Sequence, residues 1–175
     1  MTKSKKEITK NDRKILDELE KNARQSLIEI SEKTGLSRQT VQKTLQKLEK
    51  DHVIWGYQPI VDEQKKGLKE YFILIKRTTK PLDDKTIDGF ISTALNEKAS
   101  AMGIKNVTTL FIHGNFDAIM HFMAQDILMA KKFTEYIKTM YTDYIADVQL
   151  LETMFIIRKQ GIINPEVINF KKILK

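Results

Sequence analysis

Up to about Lys50 the apolar residues of the chain recur at helical spacing. Beyond Val53 they gather into β-branched runs separated by two amphipathic stretches. The first helix is expected from about Asn11 to Asn22, with Ile15, Leu16 and Leu19 as its inward stripe. Thr9, with Asp12 three residues on, can cap it. A second helix starts at Ser26, where Glu29 completes a capping box. It carries Leu27, Ile28 and Ile30 and stops at Thr34-Gly35, glycine being the residue that takes a left-handed helix end without strain. The third helix runs from Ser37 to about Lys50, with Val41, Leu45 and Leu48 on one face. Only Gly35 and Leu36 separate the second and third helices, and so short a glycine-containing turn marks a helix-turn-helix.

The segment from Val53 to Asp62 reads as a strand, a turn at Gly56 and a second extended piece, a short wing in which Trp55 and Tyr57 are expected to pack at the domain boundary, with stacking on nucleic acid as the alternative. The remainder reads β-α-β-β-α-β. Strands are expected at 71–76, 107–112, 118–123 and 148–158. One helix opens at Pro81 and carries residues as far as Leu95; another spans 126–141. The class is therefore α+β: an N-terminal winged helix-turn-helix followed by a C-terminal ferredoxin-like βαββαβ domain. The expected division is 1–61 for DNA binding, 62–67 as linker, 68–158 as a dimerisation and effector domain, and 159–175 as a tail. One face of the expected sheet keeps large apolar groups with nothing to cover them, which favours a symmetric dimer.

Charge sharpens the picture at one place. Lys and Arg total 30 against 23 Asp and Glu, a formal net charge of +7. A surplus of that kind suits a polyanion only if it is concentrated. It is concentrated on the third helix, where Arg38, Lys43, Lys47 and Lys50 face a single acid, Glu49. The N-terminal part of such a helix meets base edges, which Arg and Gln can contact in bidentate fashion, while Lys suits phosphate. The candidate contacts to double-stranded DNA are Ser37, Arg38, Gln39, Thr40, Gln42, Lys43 and Lys47. A solvated helix that happens to lack acids is the plainer alternative.

Other chemistries find little support. There is no cysteine, which removes thiol catalysis, disulfides and cysteine-based metal sites. His52, His113 and His121 form no H-x-x-x-H pair, and neither a phosphate-binding glycine loop nor a nucleophile elbow is present. No catalytic residue, metal or cofactor is expected. No apolar run is long enough to cross a membrane, and the polar N-terminus lacks a secretory signal, so the expected location is cytoplasmic.

Four stretches, in order, are similar to the Lrp/AsnC family of leucine-responsive, or feast/famine, transcription regulators. They are Asp12-Arg-Lys-Ile-Leu16, Leu27 to Ser37, Ile54 to Asp62, and His113-Gly-Asn-Phe-Asp117. The resemblance implies a homodimer assembling to tetramers or octamers, DNA binding through the N-terminal unit, and amino-acid sensing near the 113–117 turn. On that footing His113, Gly114, Asn115, Phe116 and Asp117 are the candidate effector site. Gly114 permits close approach, Asn115 can donate and accept, Phe116 offers an apolar wall, and Asp117 can pair with an amino group. A plain hairpin whose Asp caps its own backbone is the alternative. The chain departs from the family's pattern in a longer Asn96–Asn106 connection, in Ile145-Ala-Asp-Val148 before the last strand, and in its tail. Two rival readings stand beside regulation. One is an architectural DNA-binding protein. The other is an enzyme resembling the related tetrapyrrole decarboxylases, with His113 and His121 flanking the hairpin.

Overall fold

The computed structural model describes residues 7–172. The first six residues of the expected DNA-binding domain, which begin the polar N-terminal stretch, and the last three of the tail lie outside the described residues. The chain divides into two compact units, Met1–Pro59 and Ile60–Lys175.

The first unit is three helices: α1 (Lys10–Lys21), α2 (Leu27–Thr34) and α3 (Arg38–Lys50). Each begins at the cap its sequence announces. The Thr9 hydroxyl accepts from the Asp12 N–H at 3.2 Å while the Asp12 carboxylate accepts from the Thr9 N–H at 3.0 Å. Ser26 and Glu29 form the same reciprocal pair on α2. Gly35 ends α2 at φ 70°, a left-handed conformation that would strain any side chain. The core is Ile15, Ile30 and Val41, with Leu19, Leu27, Leu36 and Leu45 packed around them. Ile28, expected with the apolar set of α2, is exposed instead.

Beyond α3 the chain turns sharply, the Val53 and Ile54 amides both donating to the Leu48 carbonyl. Residues 53–61 then run without strand pairing. The expected packing of Trp55 and Tyr57 does not occur: Trp55 is 94% exposed and Tyr57 50%. Their polar ends are occupied locally, Trp55 donating to the His52 carbonyl at 2.8 Å and Tyr57 to the Glu49 carboxylate at 2.9 Å.

The second unit is built on an antiparallel sheet of β1 (Lys69–Arg77), β2 (Lys105–Phe111), β3 (Ala118–Ala124) and β4 (Ile145–Glu152), in the order β2-β3-β1-β4. Helices α4 (Asp84–Ile91), α5 (Ala94–Ala101) and α6 (Ile127–Met140) complete the ferredoxin-like arrangement. On the helix side of the sheet, Tyr71, Ile73, Met120 and Phe122 pack with Leu95, Ala99, Phe133 and Ile137. The Phe122 and Phe133 rings meet edge-on at 5.1 Å.

Four details differ from the sequence reading. The helix expected to run from Pro81 as far as Leu95 is two helices, because Ser92 adopts an extended conformation and its hydroxyl donates back to the Gly89 carbonyl. Most of the Asn96–Asn106 connection is therefore ordered as the rest of α5, a turn at Gly103 (φ 72°) and the start of β2. The last long strand is shifted toward the N-terminus: Ile145 opens it and Glu152 ends it, short of the expected Arg158. The expected linker 62–67 contains a 3-10 turn, Glu63–Lys66, that belongs to the second unit. Its Glu63 carboxylate is buried and held by Lys105 at 2.6 Å and Lys66 at 3.1 Å, so the segment cannot swing as a free tether.

The tail is also part of this unit. Strands β5 (Arg158–Lys159) and β6 (Ile162–Ile163) pair as a small hairpin, and Phe155 stacks on Phe170. Lys159 reaches Glu70 on β1 at 2.5 Å, and the Glu70 carboxylate is also 3.5 Å from His121 on β3. Glu70 and Met123 sit opposite each other on the sheet face away from the core, and Met123 is buried there. Farther along, the same face presents Phe72, Leu74, Ile119, Leu110 and Leu151.

Candidate nucleic-acid interface and sensing turn

Ser37 sets the start of α3. Its hydroxyl accepts from the Thr40 N–H at 3.2 Å and lies 2.8 Å from the Thr40 hydroxyl. Both residues are thus engaged in capping. From that fixed start, Val41 and Leu48 turn into the helical core. Gln39, Gln42, Lys43, Gln46 and Lys50, three, four or seven residues apart, share the opposite, exposed face. Arg38 is exposed at the flank of the first turn. The face carries amides and ammonium groups, the side chains suited to base edges and phosphates respectively. Gln46 and Lys50 extend it beyond the residues singled out from the sequence, and their spacing from Gln39, Gln42 and Lys43 was the available signal.

Lys47 is placed differently from the other candidates. It is half-buried, and its Nζ lies 2.8 Å from Oδ2 of Asp12, a carboxylate only 4% exposed. Burial works against ionising Asp12, but hydrogen bonds from Lys47 and Thr9 and the nearby lysine charge together hold its carboxyl below the usual range. Lys47 therefore ties α3 to α1. At the far end of α3, burial and the hydrogen bond to Glu49 push the Tyr57 phenol up to about 12, so it remains a donor at neutral pH.

The 113–117 turn joins β2 to β3. The Ile112 N–H donates to the Asp117 carbonyl at 2.8 Å, and the Asp117 N–H donates to the Ile75 carbonyl at 2.8 Å. One Asp117 carboxylate oxygen accepts from the Arg77 N–H at 2.7 Å. Asp117 thereby pins the turn to the end of β1. His113, Gly114 and Asn115 are exposed and Phe116 is half-buried. Gly114 has φ 147° and open space where a Cβ would stand. The two histidines that flank the hairpin occupy different settings: His113 is in the turn, whereas His121 stacks on Phe72 with ring centroids 4.6 Å apart and borders Glu70.

Among the described residues, no group of three or more His, Cys, Asp or Glu is placed to hold a metal ion. Among them, too, no helix is long and apolar enough to cross a membrane.

Comparison with known proteins matches these two parts. Residues 8–54 match the winged helix-turn-helix DNA-binding family. Over 48 residues the chain is 48% identical to PF0054 of Pyrococcus furiosus, described as an uncharacterized HTH-type transcriptional regulator; the match covers 27% of this chain and 31% of that protein. The chain thus spans about a third of the length of that curated relative. Over most of its length the fold is that of an AsnC family transcriptional regulator from Agrobacterium tumefaciens, with TM-score 0.65, 22% identity, and 91% of this chain and 98% of that one covered. The Neisseria meningitidis transcriptional regulator NMB0573, solved with L-Met, is similar at TM-score 0.62 and 18% identity, covering 87% of this chain and 94% of that one. Residues 8–54 are therefore similar to the winged helix-turn-helix DNA-binding family, and the chain over most of its length has a fold similar to that of AsnC-family transcriptional regulators.

Proposed function

We propose that this protein is a sequence-specific transcriptional regulator that reads double-stranded DNA with α3 and acts as a homodimer, assembling further to tetramers or octamers. The observation that carries the reading is the exposed face of α3. Gln39, Gln42, Lys43, Gln46 and Lys50 stand together on a helix whose start is fixed by Ser37 and whose far side is locked in a core. Arg38, Gln39 and Gln42 read base edges; Lys43 and Lys50 contact phosphates. The second unit supports self-association, because its open sheet face keeps Phe72, Leu74, Ile119 and Leu151 without a covering layer of helices. Enrichment of bound sequences from a random DNA pool tests the reading, with sedimentation of the full chain testing the assembly.

The 113–117 turn is the seat of an amino-acid effector in this proposal. The exposed Gly114 and Asn115 leave room for a ligand or a second dimer, and the similarly folded NMB0573 was solved with L-Met. Asp117 serves mainly to hold the turn in place, since its carboxylate already binds the Arg77 amide. Thermal shifts with amino acids on the wild type and on Gly114→Trp test this seat. The reading is of a binding protein without catalytic activity: His121 is engaged by Phe72 and Glu70, away from the turn that holds His113. A visible Soret-type band after expression would count against it.

A further inference from the structure

Between Thr34, which ends α2, and Ser37, which caps α3, stand only Gly35 and Leu36, and one residue of α2 holds both. The Ser31 carbonyl accepts from the Gly35 N–H at 3.0 Å, closing the helix end. The Ser31 hydroxyl donates to the Leu36 carbonyl at 2.5 Å. That carbonyl belongs to the peptide leading into Ser37, so fixing it fixes the direction in which α3 sets out. α1 holds the other side of Gly35: the Thr34 carbonyl, left free where α2 ends, accepts from Nζ of Lys14 at 3.3 Å. The Thr34 hydroxyl takes no part, since it donates back to the Ile30 carbonyl at 2.7 Å.

The backbone half of this grip is available to any residue at position 31; the hydroxyl half is not. Alanine favours a helix interior more than serine does, so the hydroxyl contributes to the turn rather than to α2. A glycine connection sets no direction unaided, because its backbone is the most permissive. The far part of α3 is anchored separately, through Lys47 on Asp12. At about 1.5 Å per residue Arg38 and Lys47 stand about 14 Å apart along the helix, so a swing of about 5° would carry Arg38 and Gln39 by roughly 1 Å. A bidentate contact to a base edge is lost over such a distance, whereas a lysine on its flexible stem follows a phosphate.

We infer that Ser31 is a positioning residue for base selection: its hydroxyl, through the Leu36 carbonyl, aims the first turns of α3 so that Arg38, Gln39 and Gln42 meet base edges. The inference rests on the proposal that α3 reads DNA. Ser31 itself makes no DNA contact in this account, since it is half-buried and its hydroxyl is already engaged. Its loss therefore acts on selectivity and leaves the phosphate contacts of Lys43 and Lys50 in place.

The test compares the full wild-type chain with Ser31→Ala and Ser31→Thr on two duplexes, the sequence that the wild type enriches from a random pool and a scrambled version of it. Ser31→Ala should lower the ratio of specific to non-specific affinity about tenfold, with binding to the scrambled duplex within about twofold of wild type. Ser31→Thr, which keeps the hydroxyl, should retain the wild-type ratio. Ser31→Ala and Gln42→Ala together should lose less than the sum of their separate effects, because both act through one base contact. The Leu36 carbonyl 13C resonance should move in Ser31→Ala and stay in Ser31→Thr. An unchanged ratio or an unmoved Leu36 carbonyl in Ser31→Ala overturns the role, as does a folded Ser31→Thr that is no more selective than Ser31→Ala. Equal weakening on both duplexes overturns it too, making Ser31 a backbone contact. If Ser31→Thr does not fold, Ser31→Ala and its combination with Gln42→Ala decide. A wild-type chain that enriches no sequence overturns the reading of α3 itself, and this role with it.

Discussion

The Nζ of Lys47 stands 2.8 Å from Oδ2 of Asp12, and that same carboxylate accepts from the Thr9 amide at the start of α1. One buried anion thus closes a helix cap and fastens α3 to its neighbour. Asp12→Ala leaves the Thr9 hydroxyl on the residue 12 amide but removes the bond to the Thr9 amide and frees Lys47, so chemical denaturation should show a loss of about 1.5–3 kcal/mol, the range for a hydrogen bond to a charged group. Lys47 is substantially solvated, which weakens its share of the pair. Lys47→Ala should therefore destabilise less than Asp12→Ala.

The same pair has a pH signature. The Asp12 carboxyl titrates below its ordinary 3.8 in the folded protein. Its contribution is therefore present in full above the ordinary carboxylate range and is lost as pH falls through the lower, folded-state value. Thermal melts of wild type and Asp12→Asn between neutral and strongly acidic pH should converge at the acidic end. A constant difference across the range would show that ionisation of Asp12 contributes nothing.

The remaining cations of α3 should separate by role. Lys43→Ala should weaken binding to every DNA sequence and reduce the salt slope by about one unit per lost phosphate contact. Lys47→Ala should change the slope less, because its ammonium group is already paired. Arg38→Ala and Gln42→Ala should relax selectivity, by about 1–3 kcal/mol per lost bidentate contact. Fluorescence anisotropy over a salt series distinguishes the two classes of effect.

The local signals in the sequence were reliable and the long-range ones were hidden. Thr9, Ser26, Ser37 and Gly35 act within three or four residues, so helix starts and the α2–α3 turn could be read directly. The Asp12–Lys47 pair spans 35 residues, and nothing in the pattern of α3 marks Lys47 as different from Lys43. The segment 62–67 looked like a linker because it is polar, yet Glu63 is buried through Lys105, 42 residues away. The break at Ser92 was hidden because Ile87, Phe90, Ile91 and Leu95 keep helical spacing across it.

Glu70 should hold the tail in place. Burial opposes its ionisation, while the hydrogen bond and charge of Lys159, with His121 close by, keep its carboxyl below the usual range. Glu70→Gln should loosen the hairpin around Arg158–Ile163 and speed its limited proteolysis while β1–β4 stay protected. Acid should do the same to the wild type only once pH falls below the ordinary glutamate range and through the lower, folded-state value of Glu70, and should have little further effect on Glu70→Gln.

The open sheet face should govern assembly. Leu74→Asp would place a charge opposite Ile119 and Gln149, in the middle of the apolar strip. Sedimentation should show the wild type as a dimer or larger and this variant shifted toward monomer, with helix content by circular dichroism unchanged. An unaltered sedimentation coefficient would place the interface elsewhere.

The most direct test of α3 as the DNA reader is enrichment of a random duplex pool by the full wild-type chain and by Gln42→Ala. The wild type should enrich a two-fold symmetric motif with half-sites about 34–36 Å apart, or a multiple of that spacing. Gln42→Ala should lose selectivity at one position in each half-site. A pool bound without any enrichment would contradict sequence-specific reading and favour the architectural alternative, and binding unchanged by removing Lys43 and Lys50 would contradict the assignment of α3 altogether.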